Sequence, residues 1–346
     1  MEIYMNVMER YGATPEMAEA IEKKEDYLLA RIMAVHRERY EFVCALGSGF
    51  GRIKTGNYYG KAENFPTVGD FVEIVHNACG DSLIVRTFER HSVFARTDPS
   101  SSGHWEQAVA ANFDYVFLLQ SLNANFNVQR LERYLTLAWQ SGAEPVVVLT
   151  KADLKEDISA ELAAAVRVAG AVDVHAVSAL TGQGMEELKQ YMQPGKTIVF
   201  LGSSGVGKSS LVNALAGKEL METGEIRESD GKGRHTTTYR QLILNENGTM
   251  FIDTPGMRAL GMWDVTEGLG QTFSDVEELA KNCRFRDCRH QNEPGCAVQA
   301  AIASGKLSPR RLASYQKLKR EAKYSEDRPA YYRDKRAACK KRGGHG

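Results

Sequence analysis

The sequence predicts a multidomain protein: an N-terminal β-barrel, a central α/β domain and a C-terminal helical segment that binds a metal. Short alternating stretches such as "DFVEIV" and "SLIVRTFER", separated by Gly, Asn and Asp, fill residues 31–96 and are typical of a small barrel. Over 115–253, apolar runs alternate with amphipathic helices, which indicates a parallel sheet covered on both faces. Three cysteines and a histidine then crowd into residues 283–296, which favours a metal site.

Length and composition fit a soluble protein of several domains. At about 150 residues per domain, a chain of 346 residues predicts two or three. No apolar run approaches the roughly 18 residues that span a bilayer, and the start of the chain lacks a signal-peptide pattern. We therefore expect a cytoplasmic protein, with no membrane partner, that acts as a monomer.

Charge is unevenly distributed along this neutral chain. From Lys306 to the end there are fourteen Lys/Arg against four Asp/Glu. A basic tail indicates a polyanionic partner, usually nucleic acid. The alternative is a solvated helix that only aids solubility.

The patterns divide the chain into four parts. We predict a helical extension over 1–29, an RNA-binding barrel over 30–97, an α/β domain over 98–274 and a metal-binding domain with a basic helical tail over 275–346. The polar stretch 96–107, at the boundary between the barrel and the α/β domain, is predicted to be a linker. A five-stranded oligonucleotide-binding (OB) barrel fits the second part best. Its aromatic residues could stack on bases or fill the barrel core: Tyr40, Phe42, Tyr58, Tyr59 and Phe71.

The segment "GSSGVGKS" (202–209) fits the phosphate-binding loop pattern G-x-x-x-x-G-K-[ST], between a buried strand and a helix. Its glycines let backbone N–H groups converge on phosphate oxygens at a helix N-terminus. Lys208 would reach the β- and γ-phosphates as a catalytic cation, and Ser209 would offer its hydroxyl to Mg²⁺. An incidental glycine-rich turn would not explain the strand and helix on either side.

A second phosphate-sensing element follows at "DTPG" (253–256), after the apolar strand "MFI". Asp253 is placed to hold Mg²⁺ and Gly256 to offer its N–H to the γ-phosphate. Between the two elements lies the polar loop "GKGRHTTTYR" (231–240), in which a threonine can complete the Mg²⁺ shell. Thr237 is our choice, with Thr236 and Thr238 as alternatives, and an ordinary surface loop is the simpler interpretation.

Two further loops predict guanine specificity. In "TKAD" (150–153), the Asp153 carboxylate can accept from guanine N1–H and the 2-amino group, while the Lys151 stem packs against the ring. Thr150 replaces the commoner Asn, and its hydroxyl can still link neighbouring loops. At the end of the next strand, Ser178 and Ala179 would present backbone to guanine O6. Both loops precede the phosphate loop, so the motif order is 4-5-1-2-3, which indicates a circularly permuted GTPase.

The C-terminal cluster has the spacing C-x₄-C-x-H-x₅-C, and its donor set suits a closed tetrahedral zinc site. Unliganded thiols that happen to cluster are the alternative. No fourth cysteine lies nearby, which makes the histidine the natural fourth ligand. The predicted zinc ligands are Cys283, Cys288, His290 and Cys296.

This combination resembles the family of ribosome small-subunit-dependent GTPase A (RsgA, also called YjeQ). The resemblance covers nearly the whole chain: the barrel, "SLNANFNVQRLERYL", "TKAD", "SSGVGKSSLVN", "GRHTTT", "DTPGM" and the Cys₃His segment. It implies an OB-fold, a permuted GTPase domain and a zinc domain, together with late maturation of the 30S ribosomal subunit, contact with its 16S rRNA and GTP hydrolysis stimulated by that subunit. A GTP-gated RNA-binding switch that is not dedicated to ribosome assembly is the alternative function.

The resemblance also assigns roles to individual residues, residue by residue. Thr in the first position of the guanine motif and the leading helical segment are mild departures from the family pattern. The GTP- and GDP-binding residues that it implies are Thr150, Lys151, Ala152, Asp153, Gly202, Ser203, Ser204, Gly205, Val206, Gly207, Lys208, Ser209 and Ser210.

The residue after D-x-x-G is Met257, where many GTPases place a glutamine that orients the attacking water. We therefore expect slow intrinsic hydrolysis and a polar group supplied from elsewhere. His235 in "GRHTTT" is the nearest candidate, because a neutral imidazole can accept a proton from water near pH 7. The alternative is that His235 only positions the loop or contacts RNA.

Overall fold

The computed structural model describes residues 7–21, 26–37, 39–58, 65–97, 106–221, 240–253 and 265–323. Strands dominate the first half of these ranges, and helices dominate the end. The strands are β1 (Tyr27–Val35), β2 (Tyr40–Cys44), β3 (Gly47–Ile53), β4 (Phe71–Val75), β5 (Ser82–Thr87), β6 (Val93–Thr97), β7 (Glu106–Ala111), β8 (Tyr115–Ser121), β9 (Glu144–Thr150), β10 (Val174–Ala176), β11 (Thr197–Gly202), β12 (Gln241–Leu244) and β13 (Met250–Asp253).

The helices lie mainly around and after the central sheet. Single helical turns at 7–9 and Thr55–Tyr58 and 3₁₀ turns at Ala152–Leu154 and Glu187–Tyr191 complete the described elements. The helices are α1 (Pro15–Glu19), α2 (Val128–Gln140), α3 (Ser159–Ala169), α4 (Lys208–Ala216), α5 (Thr266–Thr272), α6 (Ser274–Ala280), α7 (Ala297–Ala303) and α8 (309–323).

The first five strands form a closed barrel in the order β1-β2-β3-β5-β4, and β4 pairs again with β1. This closure confirms the predicted OB-fold, since a closed barrel leaves no unpaired edge. β1 begins at Tyr27, which pairs with Val75, so the barrel starts before the predicted residue 30. Of the candidate stacking residues, Phe42, Tyr58 and Phe71 are buried and therefore serve packing.

The central domain is built on a sheet in the order β10-β9-β8-β11-β13-β12, parallel except for β12, which runs antiparallel and also pairs with β1 of the barrel. Its strands are continuous apolar runs because both faces are covered. Leu131 and Leu135 of α2 pack on one face, and Leu211 and Val212 of α4 pack on the other. This confirms the predicted α/β domain, and the carboxyl ends of its parallel strands share one edge.

The polar stretch 96–107, predicted as a linker, is flanked by a β-hairpin. β6 and β7 pair antiparallel, from Val93 opposite Ala111 to Thr97 opposite Glu106. The linker prediction was therefore wrong at both ends of the stretch. The first two residues, 96–97, belong to β6 and the last two, 106–107, belong to β7, and these two pairs of residues are strand partners of each other. Although β6 falls within the predicted barrel range, its only strand partner among the described residues is β7.

A buried arginine joins the barrel to the base of the central sheet. Arg31 of β1 is 1% exposed and donates to the Gly69 carbonyl (3.2 Å), the Asn112 carbonyl (2.7 Å) and the Thr197 hydroxyl (2.9 Å). Burial lowers its pKa to about 10, which leaves the guanidinium charged near neutral pH. Thr197 opens β11, the strand that carries the phosphate loop, so the barrel is fixed directly to that strand.

The C-terminal helices are fixed to the central domain by a second buried charge. Arg311 of α8 donates to Glu132 of α2 (2.8 Å) and to the Thr272 carbonyl of α5 (2.6 Å), and its guanidinium lies 4.3 Å from the Phe273 ring centroid. The side chain of Glu132 is 3% exposed. Across the described ranges, no helix is both long and apolar enough to cross a bilayer.

Candidate nucleotide-binding and metal sites

The phosphate loop connects β11 to α4 at the carboxyl edge of the sheet. Gly205 (φ 73°) and Gly207 (φ 98°) adopt left-handed backbone that a side chain would strain, and Gly207 caps α4. Val206 between them is 2% exposed and anchors the loop in the core. The predicted loop residues are thus together on one turn that opens toward a helix N-terminus, which is the arrangement that binds phosphate.

Lys208 and Asp253 meet across this loop. The Lys208 ammonium forms an ion pair with Asp253 at the end of β13, and the side chains are 27% and 6% exposed. Ser209 lies beside Lys208 in the first turn of α4. A hydroxyl and a carboxylate are oxygen donors that suit Mg²⁺, so the residues at this point fit that ion.

The predicted base-reading loop lies beside the phosphate loop. Lys151 adopts a left-handed conformation (φ 60°) that turns the chain into the 3₁₀ turn bearing Asp153. A Cβ on Gly207 would lie only 3.7 Å from Lys151 Cε, so the lysine stem passes over the phosphate loop. The Ala152 N–H donates to the Val177 carbonyl (3.0 Å), which joins this loop to the strand end that carries Ser178.

The second predicted base-reading loop is a tight turn after β10. Ser178 is fully buried, and its hydroxyl accepts from the Thr181 N–H (3.1 Å). The Ser178 N–H donates to the Gln183 carbonyl (2.9 Å). Ser178 therefore shapes the turn and does not face the cavity, whereas Ala179 lines it.

The three loops enclose a cavity of about 340 Å³, which is in the size range of small-ligand sites. Apolar residues in its wall escaped the sequence interpretation. Leu154 and Leu180 are 61% and 85% exposed, and both line the cavity, where they offer apolar surface to a ligand. No signal in the sequence marks these two leucines, because their exposure depends on how the loops fold. The lining residues that the loops contribute are Thr150, Lys151, Asp153, Leu154, Ala179, Leu180, Gly207 and Ser210.

The four predicted metal ligands converge in the C-terminal domain, with their donor atoms all within 4.8 Å of one another. Cys283 Sγ lies 3.9 Å from Cys296 Sγ, and each of these sulfurs lies 3.6 Å from His290 Nδ1. A tetrahedral ion with Zn–S bonds of about 2.3 Å holds two sulfurs about 3.8 Å apart. The distances therefore fit a four-coordinate metal.

The surroundings prepare these ligands for metal binding. Cys296 caps α7, and its sulfur accepts from the Gln299 N–H (3.4 Å), which orients the sulfur. Burial, followed by the charge of Lys319, lowers the pKa of His290, which favours the neutral imidazole that a metal ligand requires. The Gln299 amide also donates to the His290 carbonyl (2.6 Å), which holds this residue in its left-handed conformation.

Several predicted residues fall in segments 222–239 and 254–264, which lie outside the described residues. These are His235, Gly256, Met257 and the three switch threonines, Thr236, Thr237 and Thr238. The roles assigned to them stay predictions. Among the described residues near the ends of these segments, Gln241 of β12 pairs with Asp253 of β13.

A phosphate loop, a neighbouring carboxylate loop and a preformed cavity between them define a P-loop protein of the GTP-binding class. The family model of the RsgA GTPase matches residues 87–263. The chain belongs to the RsgA GTPase family, and it is accordingly a GTP hydrolase.

Relatives and solved structures support this membership along most of the chain. The chain is 46% identical over 334 residues to "Small ribosomal subunit biogenesis GTPase RsgA 1" of Listeria innocua, covering 95% of this chain and 94% of that protein. It is similar to the crystal structure of YjeQ from Thermotoga maritima (TM-score 0.62, 26% identity, 84% and 97% covered). It is also similar to YloQ, described as a circularly permuted GTPase (TM-score 0.60, 26% identity, 87% and 97% covered).

Proposed function

We propose that this GTPase binds the 30S ribosomal subunit through its 16S rRNA, acts in the late maturation of that subunit, and is released when GTP is hydrolysed. The names of its relatives, which describe small-subunit biogenesis, support this function. The proposal places the protein in the cytoplasm with the particle on which it acts. Hydrolysis is slow in the free protein and is stimulated by the bound subunit.

At the nucleotide cavity, each loop has a separate task. Asp153 accepts from guanine N1–H and the 2-amino group, and backbone at Ala179 faces O6. Lys208 neutralises the β- and γ-phosphates, and charge-assisted contacts of this kind strengthen as negative charge develops. Ser209 and Asp253 would hold Mg²⁺, with Thr237 completing the shell. When bound, the ion supplies charge neutralisation between the β- and γ-phosphates.

In the C-terminal domain we propose a single structural zinc. The Cys₃His set, with three sulfur donors and no open position, is typical of sites that stabilise a fold and do not catalyse. The metal would hold together the loop 283–296, which has few elements of regular structure. It would thereby fix α7 and the basic segment that follows it.

One observation supports a link between the bound nucleotide and binding of the 30S subunit. The Ala34 Cα of barrel strand β1 is in register with Gln241 at the start of β12, the strand that directly follows the segment with Thr237 and His235. A change at the start of β12 on hydrolysis would therefore act on the edge at which the barrel joins the sheet. The affinity of the barrel for RNA would in this way depend on whether the γ-phosphate is present.

Co-sedimentation with purified subunits tests the proposal. We expect the protein to pellet with 30S particles when a non-hydrolysable GTP analogue is present and to remain in the supernatant with GDP. The 50S subunit and an unrelated structured RNA of equal phosphate concentration serve as controls, all at one stated salt concentration because nucleic-acid affinity depends on salt. Equal binding to all three would favour the GTP-gated RNA switch instead.

A further inference from the structure

The side chain at the first position of the base-reading loop is engaged away from the base. The Thr150 hydroxyl donates to the Val206 carbonyl of the phosphate loop at 2.5 Å, and a longer contact of 3.4 Å reaches the Gln120 carbonyl. Thr150 is 4% exposed and Val206 is 2% exposed. The contact is thus a buried bridge between the two loops that form the cavity.

The Thr150 hydroxyl cannot donate to the phosphate loop and to guanine at the same time. A hydroxyl has one proton, whereas an asparagine amide has two on a single nitrogen and can serve a loop and a base together. If the Thr150 proton turned toward guanine, the buried Val206 carbonyl would lose this donor, and one neutral hydrogen bond to the base would not exceed that cost. Guanine N7 is the acceptor that such a donor could have served, since O6 faces the backbone at Ala179.

We propose that the Thr150 hydroxyl binds the phosphate loop and not guanine, and that it sets nucleotide affinity as a positioning residue by holding the two loops of the cavity together. The proposal rests on the placement of guanine in this cavity beside Asp153. Holding both loops in place before the ligand arrives lowers the ordering cost of binding. The contribution of the Thr150 hydroxyl to nucleotide affinity should then be the same whichever atoms the base presents near residue 150.

The test compares GTP with 7-deaza-GTP, in which a C–H replaces N7 and the other edges of the base are unchanged. Dissociation constants are measured for the full-length wild type and for Thr150→Val, Thr150→Cys and Thr150→Ser. Valine keeps the shape and removes the donor, cysteine supplies a weak donor, and serine restores the hydroxyl. All measurements are made well below the unfolding temperature of each variant.

A matched control separates this role from general stability. Thr249 is buried like Thr150, and its hydroxyl donates to the Gln193 carbonyl (3.1 Å), but it does not line the nucleotide cavity. Thr249→Val should lower the unfolding temperature about as much as Thr150→Val does. Its dissociation constants for both nucleotides should equal those of the wild type.

For Thr150→Val we expect weaker binding of GTP and 7-deaza-GTP by the same factor, about 5- to 30-fold. Thr150→Ser should bind both within about twofold of the wild type, and Thr150→Cys should lie between serine and valine.

A loss seen with GTP but not with 7-deaza-GTP would show a base contact and overturn the proposal, as would wild-type affinity in Thr150→Val. If the valine variant does not fold, the cysteine variant is judged by the same two criteria. Wild-type selectivity for GTP over ATP, measured in parallel, reports separately on the guanine pocket.

Discussion

Lys208 and Asp253 form an ion pair across the phosphate loop, with the ammonium against Oδ1 of a carboxylate that is 6% exposed. Each of the two groups is therefore neutralised by the other at the place where phosphate and Mg²⁺ are expected. A nucleotide with its ion can replace this contact without leaving either charge unpaired, because the lysine then faces phosphate and the carboxylate faces the cation.

Replacing Lys208 by Met should weaken GTP binding about 10- to 100-fold, since hydrogen bonds to charged groups contribute about 1.5–3 kcal/mol. Affinity for guanosine, which has no phosphates, should not change. Titration calorimetry with both ligands checks this. Lys218→Met is the matched control, because Lys218 pairs with the exposed Glu246 away from the cavity. Wild-type GTP affinity in Lys208→Met would remove the lysine from the phosphate site.

Asp153→Asn should weaken GTP binding and shift preference toward xanthosine triphosphate. The substitution presents an amide donor to guanine N1–H and its 2-amino group, whereas xanthine offers an oxygen at position 2. Sites of this kind discriminate by as much as roughly 10⁴–10⁵-fold, so the change should be large.

Competition binding with the two triphosphates measures this preference. Asp157→Asn, an exposed aspartate just beyond the same loop, should behave as the wild type. The guanine assignment of the loop is wrong if Asp153→Asn binds GTP as tightly as the unchanged protein.

Purified protein should contain one zinc per chain, and Cys288→Ala or His290→Ala should release it. Because structural zinc contributes folding free energy, the C-terminal domain should then unfold at lower temperature. GTP affinity should be largely kept, since no ligand of the cluster lines the nucleotide cavity. Elemental analysis and thermal unfolding measure both effects.

Cys79→Ala provides the control for this set, because Cys79 is an exposed thiol of the barrel outside the cluster. It should retain the metal and the unfolding temperature. Protein that contains no zinc when purified without chelators would contradict the metal assignment.

The sites could be predicted because their motifs are short and local. Strand boundaries were predicted less well because they depend on pairing between distant residues. The spacing of Cys283 to Cys296 and of the phosphate loop is carried by neighbouring residues, so the sequence alone indicates their chemistry. By contrast, the start of β1 depends on Tyr27 finding Val75, and the β6–β7 hairpin depends on residues on opposite sides of a polar stretch. Local propensity does not reveal such partners.

The same limit applies to the walls of the nucleotide cavity. Leu180 belongs to no motif, and only the turn fixed by Ser178 shows that it is exposed beside Asp153. Likewise, the sequence indicated that Thr150 could link loops, but its partner in Val206 is 56 residues away along the chain. The contribution of such a contact to binding can be recognised only in the folded structure.

His235→Ala should keep the affinity for GTP and for the 30S subunit but lose most of the stimulated turnover. Met257 cannot orient water usefully, whereas a neutral imidazole can accept its proton. His235→Gln is the informative companion, because glutamine can orient water without changing charge and should retain part of the rate. Wild-type turnover on subunits in His235→Ala would assign the catalytic group to another residue or to the ribosome.

Steady-state GTP hydrolysis by the full-length protein, with and without purified 30S subunits, tests the central claim most directly. The account predicts slow turnover by the protein alone and a rise of about 10²- to 10⁴-fold at saturating 30S, below the roughly 10⁵-fold that a full arginine finger supplies. The 50S subunit should give no comparable rise. A rate that is unchanged by 30S subunits, in protein that binds GTP and contains its metal, would contradict the account.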